Sequence, residues 1–128
     1  MSNDTPKPGT IGWHDLTVDD ADGVRDFYER VIGWGHDNVS MGEYNDYVML
    51  PPDGEGAVGI CHRRGTNDDM PPVWMVYFVV EDVEKSAAEC SAAGGSVKIE
   101  PRGLAGGRFC VIEDPAGAVC ALYQPPAG

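Results

Sequence analysis

The sequence lacks a long apolar run, and it contains few basic residues. No stretch approaches the roughly 18 apolar residues that a membrane-spanning helix requires, so we expect no membrane partner. Only 9 Lys and Arg stand against 21 Asp and Glu, for a formal net charge of −12. Phosphate binding needs clustered cations, and the densest cluster here is the pair Arg63 and Arg64. The composition therefore argues against a nucleic-acid partner and is typical of an acidic protein.

The sequence also lacks any Cys-x-x-Cys pair, and we expect no secretion signal. Four cysteines stand far apart within apolar stretches: Cys61, Cys90, Cys110 and Cys120. This spacing argues against zinc and against a disulfide framework, and it indicates buried thiols in a reducing compartment. Residues 1–10 have no apolar segment like that of a signal peptide, so we interpret them as a flexible arm and expect a cytoplasmic protein.

What the sequence does contain is an internal repeat. The heptapeptide at residues 56–62 returns 61 residues later at residues 117–123, and an aspartate stands three residues before each copy, Asp53 and Asp114. The same offset relates Trp13 to Trp74. Two copies of one unit of about sixty residues usually pair and build one cleft between them.

Each half contains the same order of elements. Ile11 to Val18 alternates as a strand does, and residues 21–32 carry apolar positions at helical spacing between a cap at Asp19 or Asp20 and a stop at Gly33. The second half repeats this order with a strand at 73–80 and a helix at 83–93. Short strands are predicted after each helix, at 37–40, 44–50 and 57–62, then at 96–100, 109–113 and 118–123. The glycine-rich segment 103–108 is predicted to be a turn.

These elements predict an α+β fold of two tandem βαβββ modules that form a curved mixed sheet around a cleft. The predicted organisation is an arm at 1–10, a single domain at 11–124 and a tail at 125–128. Within the domain, module 11–62 is joined to module 73–124 by a polar linker at 63–72, which contains Pro71 and Pro72.

Particular phrases within this pattern resemble a known family. They are the run 13–17 (WHDLT), the pairs 27–28 (FY) and 33–34 (GW), and the late phrases 107–108 (GR) and 114–118 (DPAGA). Together with the element order they resemble the vicinal-oxygen-chelate superfamily, which groups glyoxalase I, bleomycin-resistance proteins and extradiol dioxygenases. The resemblance covers about residues 10 to 124. It implies a homodimer, because members of that superfamily are often dimers.

Enzymes of that superfamily hold a divalent metal with His or Glu side chains from the first and last strands of each half. On this chain the resemblance places the four ligand positions at Trp13, Ile60, Met75 and Ala121. None of these offers the imidazole or carboxylate that zinc, manganese or iron prefer. A shift by one residue recruits His14 but leaves the second half without a ligand, so we expect no metal and no other cofactor.

Strand alternation predicts which residues line the cleft instead of a metal. The face of the sheet opposite the cleft includes Leu16, Val18, Phe78 and Leu122. It is apolar and is expected beneath the helices. The pocket is predicted to be aromatic and aliphatic with a few polar groups that orient a ligand. Its predicted ligand-binding residues are Trp13, Asp15, Thr17, Ile60, His62, Met75, Tyr77, Ala121 and Tyr123.

Two of these residues are candidate catalytic groups, Asp15 and His62. A carboxylate midway along a strand in an apolar pocket either has a raised pKa or pairs with a cation, and both occur at working sites. An ordinary salt bridge to Arg63, Arg64 or Arg108 explains Asp15 equally well. His62 stands at a strand end beside two arginines, where a solvated histidine is the alternative to a general base.

Three hypotheses for function follow. The first is a protein that binds a small, partly apolar molecule in the cleft without a metal, as the resemblance to bleomycin-resistance proteins implies. The second is a lyase or dioxygenase of the same superfamily, working through Asp15 and His62 as acid and base or through a metal site placed elsewhere. The third is a dimeric partner-binding module, which a cleft filled by its own side chains would favour.

Overall fold

A computed structural model describes residues 6–127 of the chain, so the predictions for residues 1–5 and 128 lie outside the described residues. The described residues form eight strands, two α-helices and one short 3-10 turn at Gly65–Asn67. The first half contains β1 (Ile11–Val18), α1 (Ala21–Ile32), β2 (Gly35–Ser40), β3 (Asn45–Leu50) and β4 (Val58–His62). The second contains β5 (Met75–Val79), α2 (Val83–Ala92), β6 (Ser96–Leu104), β7 (Gly107–Glu113) and β8 (Val119–Gln124). The predicted order, βαβββ twice, is confirmed.

Contacts divide the chain into two compact units. One is His14–Trp74, and the other takes the described residues up to Trp13 together with those from Met75 onward. The segment that leads into β1 contacts the second half, since the backbone N–H of Gly9 donates to the carbonyl of Val79 at 2.8 Å. We call the first unit module one and the second module two.

Each module has a four-stranded mixed sheet with the same topology. The strand order is β2-β3-β4-β1 in module one and β5-β8-β7-β6 in module two. In each sheet the strand before the helix pairs in parallel with the last strand, β1 with β4 and β5 with β8, and the other pairs are antiparallel. A parallel pair requires a crossover, and the helix supplies it.

Local sequence explains where both helices begin and where α1 ends. The Asp20 carboxylate accepts from the N–H of Gly23 at 3.0 Å, and the Asp82 carboxylate accepts from the N–H of Lys85 at 3.2 Å. Each aspartate thus satisfies an N–H that a helix start leaves unpaired. After α1 the chain turns at Gly33, whose φ of 91° favours glycine.

Each helix covers one face of its own sheet with a separate apolar core. Beneath α1, Ala21 packs with Tyr47, Met49 and Ile60. Beneath α2, Val83 and Ala87 pack with Cys110 and Leu122. We call the opposite face of each sheet its helix-free face.

The hairpin between β6 and β7 is tighter than predicted. Residues 103–108 were expected to form a glycine-rich turn, but β6 runs to Leu104 and β7 starts at Gly107. The turn is the pair Ala105 and Gly106, with φ values of 51° and 83°. Two residues of positive φ match the twist of the flanking strands.

Among residues 6–127, no helix is long and apolar enough to cross a membrane.

Candidate functional site

The helix-free face of module one carries a small polar group. Asp15 and Thr17 of β1 lie beside Gly59 and Cys61 of β4, their register partners. Thr17 and Asp46 are buried, and the Asp46 carboxylate accepts from the backbone N–H of His62 at 2.8 Å. Asp15 and Thr17 are two residues apart in β1 and lie on the same face of the sheet, as strand alternation predicted.

The Cys61 thiol on this face is held in its protonated form. Burial is the main reason that the pKa of Cys61 is raised, and the carboxylates of Asp15 and Asp46 add to it. A thiolate, not a thiol, is the nucleophile and the metal ligand. Cys61 is therefore unsuited to either role at neutral pH.

Ile60 and His62 lie on the other face of the same sheet, and their predicted placement beside Asp15 is wrong. Leu16 is the register partner of Ile60, and Val18 is the partner of His62. Ile60 is fully buried in the core beneath α1.

The error has a physical cause. The repeated glycines are 61 residues apart. In the structure the register pair Leu16 and Ile60 of module one is equivalent to the pair Phe78 and Leu122 of module two, and each residue is 62 positions from its equivalent. The segment between the repeated glycine and the strand is therefore one residue shorter before β4 than before β8. A slip of one residue moves every side chain of a strand to the opposite face.

His62 lies in a polar cluster that the sequence did not reveal. Its Nε2 is 3.5 Å from a carboxylate oxygen of Asp22, and its Nδ1 is 3.5 Å from a carboxylate oxygen of Asp46. The Tyr47 hydroxyl donates to Asp22. This hydrogen bond is the main reason that the pKa of Asp22 is lowered and that of Tyr47 is raised.

The cluster does not converge on Asp15. Since Asp15 and His62 lie on opposite faces of one sheet, they cannot act as acid and base on one bound molecule. The three arginines considered for Asp15 have other contacts. Arg63 forms a bidentate pair with Asp19, Arg64 stacks over Tyr44 at 4.1 Å, and Arg108 pairs with Glu84.

The helix-free face of module two is apolar and aromatic. Tyr77 lies beside Ala121, its register partner, and its ring centroid is 6.2 Å from that of Phe109. Tyr123 is half-buried and its hydroxyl donates to the carbonyl of Ala105 at 3.4 Å. The predicted residues of module two therefore do share one face. Most of this face is buried, at Met75, Tyr77, Val79, Phe109, Val111 and Ala121.

The two tryptophans of the repeat are each partly exposed. Trp13, the first predicted ligand-binding residue, is 37% exposed, and Trp74 is 38% exposed. The indole N–H of Trp74 donates to the hydroxyl of Tyr28 at 3.0 Å. Trp74 is therefore part of an aromatic cluster with Trp34 and with Tyr28 of α1.

The residues at the expected metal positions do not fit a divalent cation. Correcting the β4 register replaces Ile60 by Gly59, so the four positions become Trp13, Gly59, Met75 and Ala121. None carries an imidazole or a carboxylate. Within residues 6–127, no group of three or more His, Cys, Asp or Glu side chains is arranged to hold a metal ion.

Comparison with known proteins agrees with this architecture. The family model of the Glyoxalase/Bleomycin resistance protein/Dioxygenase superfamily matches residues 10–122. The chain belongs to this superfamily. A methylmalonyl-CoA epimerase from Streptomyces coelicolor has the same fold, with a TM-score of 0.58 at 19% identity over 94% of this chain and 100% of that one.

Two curated relatives are more similar in sequence. CFP32 of Mycobacterium tuberculosis, named as a glyoxylase, is 36% identical over 91% of this chain and 44% of its own length. The anthracycline biosynthesis protein DnrV of Streptomyces peucetius is 31% identical over 91% of this chain and 47% of its own. The chain therefore spans less than half the length of these relatives.

Proposed function

We propose that this superfamily member binds a small, partly apolar molecule on a helix-free face of its sheets, without the metal of the superfamily's enzymes. The observation that carries the proposal is the chemistry of these faces. Where the enzymes present metal donors, this chain presents a carboxylate and a hydroxyl in module one and aromatic rings in module two. Aromatic surface with a few polar groups is typical of sites for small organic ligands.

A ligand with a cationic group suits the helix-free face of module one, where Asp15 and Thr17 lie. The Asp15 carboxylate is suited to accept hydrogen bonds from an ammonium group, and Thr17 adds a hydroxyl. The relative DnrV is named for anthracycline biosynthesis, so an anthracycline with an amino sugar is a rational probe.

We expect Asp15→Asn to weaken binding of such an anthracycline about tenfold, because it removes the charge from a charge-assisted hydrogen bond. The matched control is His62→Gln, which changes a side chain on the opposite face of the same sheet and leaves the dissociation constant within about twofold. Fluorescence titration of the intact chain measures both constants.

A second ligand separates the charge effect from a folding effect. The aglycone, which lacks the amine, should bind the parent chain and Asp15→Asn equally well. If His62→Gln weakens binding as much as Asp15→Asn, the acid-base interpretation regains support. If the probe and the aglycone bind neither the parent chain nor the variants, the proposal for this ligand class is wrong.

The burial of the face in module two favours a second candidate, a partner-binding module. Met75 is 1% exposed and Ala121 is 0% exposed, so these predicted ligand contacts are closed to solvent. A ligand that reaches them has to displace side chains, at a cost in packing energy. Absence of any bound small molecule after screening would favour this candidate over the first.

A further inference from the structure

The strands β2 and β6 lie at the two ends of the strand order, and they differ in how their outer edges are protected. Two register shifts, Pro101 and Lys98 interrupt β6. Such features ordinarily prevent an extended chain from adding to an edge strand. In contrast, β2 pairs with β3 through six consecutive residues without a register shift, and it contains neither proline nor lysine. The outer edge of β2 is therefore open to a further strand.

The backbone of β2 points outward at alternate residues. The N–H of Met41 donates to the carbonyl of Tyr44 at 2.8 Å and closes the turn between β2 and β3. Hydrogen-bonded pairs alternate with non-hydrogen-bonded pairs in an antiparallel ladder, so Asp37 and Val39 also bond to β3. Among residues 6–127, the residues between them make no backbone hydrogen bond outside the β2–β3 ladder. The outward-pointing residues are His36, Asn38 and Ser40.

The side chains beside this edge are acidic and apolar. His36 pairs with Glu29 of α1, so alternation places Asp37 and Val39 on the helix-free face. Asp37 is exposed, and Val39 is 41% exposed. Residues 31–62, which include β2, β3 and β4, contain five aspartates and glutamates but no lysine or arginine. The charge around β2 is therefore complementary to a basic segment.

We propose that β2 binds an extended segment of a partner protein in which an apolar residue stands two positions before a lysine or arginine. The segment adds antiparallel to β2, the arrangement with the more stable ladder. Its apolar residue then lies opposite Val39 and its cation lies opposite Asp37. Backbone hydrogen bonds to the outward-pointing residues of β2 supply affinity, and the two side-chain pairs supply specificity.

Charge favours this occupant over a second copy of the chain. The β2 strand of a second copy would bring another Asp37 and no cation, and like charges across two strands are destabilising. The inference does not depend on the proposed ligand site. Asp15 and Thr17 of that site lie in β1, at the opposite end of the strand order of module one.

Fluorescence anisotropy of a labelled six-residue peptide, Thr-Val-Thr-Lys-Thr-Val, tests the proposal with the intact chain. Asn38→Pro removes one outward N–H and no ladder hydrogen bond, and it should weaken binding at least about tenfold. The matched control is Asn38→Thr, which keeps the N–H and should leave the dissociation constant within about twofold. Replacing the lysine of the peptide by glutamate should weaken binding about tenfold, because it then faces Asp37.

Methylated peptides test the same hydrogen bonds without changing the protein. In the antiparallel arrangement the threonine amides of the peptide face β2. Methylating those amides should abolish binding, whereas methylating the valine and lysine amides should leave it intact. This comparison uses the parent chain, so it holds even if Asn38→Pro fails to fold.

The proposal is overturned if the parent chain does not bind the peptide, if a folded Asn38→Pro binds it as tightly, or if the two methylated peptides bind equally. Self-association that Asn38→Pro abolishes, without binding of the peptide, would identify a second copy as the occupant and would also overturn it. Anthracycline binding, measured separately, is expected to be unchanged by the substitutions in β2.

Discussion

Ile60→Ala should lower the free energy of unfolding by about 3 kcal/mol, the range observed when a buried aliphatic side chain is truncated. Ile60 is fully buried among Ala21, Tyr47 and Met49, and the rigid sheet on either side cannot close the cavity left behind. Urea unfolding followed by circular dichroism measures the change.

The same substitution at another strand position provides the control. Ile11 is 53% exposed, so Ile11→Ala should cost about 0.5 kcal/mol or less, as surface changes generally do. Equal effects at the two positions would contradict the placement of Ile60 beneath α1. They would return it to the helix-free face, where the repeat alignment predicted it.

Gly107→Ala should destabilise the chain by about 3 kcal/mol, at the upper end of the cost of overpacking. A Cβ at Gly107 would lie 2.1 Å from the carbonyl oxygen of Gln124 and 2.9 Å from the hydroxyl of Tyr123. The carbonyl belongs to the backbone of β8, which is held in the sheet by β7 on one side and β5 on the other. The clash therefore requires strand movement.

Gly103, the register partner of Arg108 in the same hairpin, makes the matched comparison. A Cβ there would lie 4.0 Å from the carbonyl oxygen of Gly107, an ordinary contact distance. Gly103→Ala should therefore change stability by less than about 1 kcal/mol. Thermal unfolding measures the loss of stability in both variants. An equally small loss at both sites would show that β8 moves to accommodate the added methyl group.

Local signals were sufficient for the elements and their order. Alternation predicted β1, and capping aspartates with following glycines predicted the limits of both helices, because these features involve neighbours in the chain. The face assignment held in module two, where Tyr77 and Ala121 are register partners. It failed at β4, because the number of residues between the repeated glycine and the strand decides which side chains face the helix. The aligned repeat does not show that this number differs by one between the two modules.

The polar cluster around His62 could not be predicted from the sequence, for a different reason. Asp22 belongs to α1 and Asp46 to β3, and only the folded sheet brings both carboxylates to one imidazole. No spacing along the chain links these residues. The apolar positions of α1 were visible, but their periodicity did not reveal that Phe27 and Val31 face outward.

Native mass spectrometry of untagged, freshly purified protein tests the central claim most directly, because one spectrum records both metals and organic ligands. We expect far less than one equivalent of zinc, nickel, manganese or iron, and a mass increase from a small organic molecule when one is bound. A chelator should leave the melting temperature unchanged, since no metal stabilises the folded state. A stoichiometric divalent metal that survives dialysis, and whose removal lowers the melting temperature, would contradict the account.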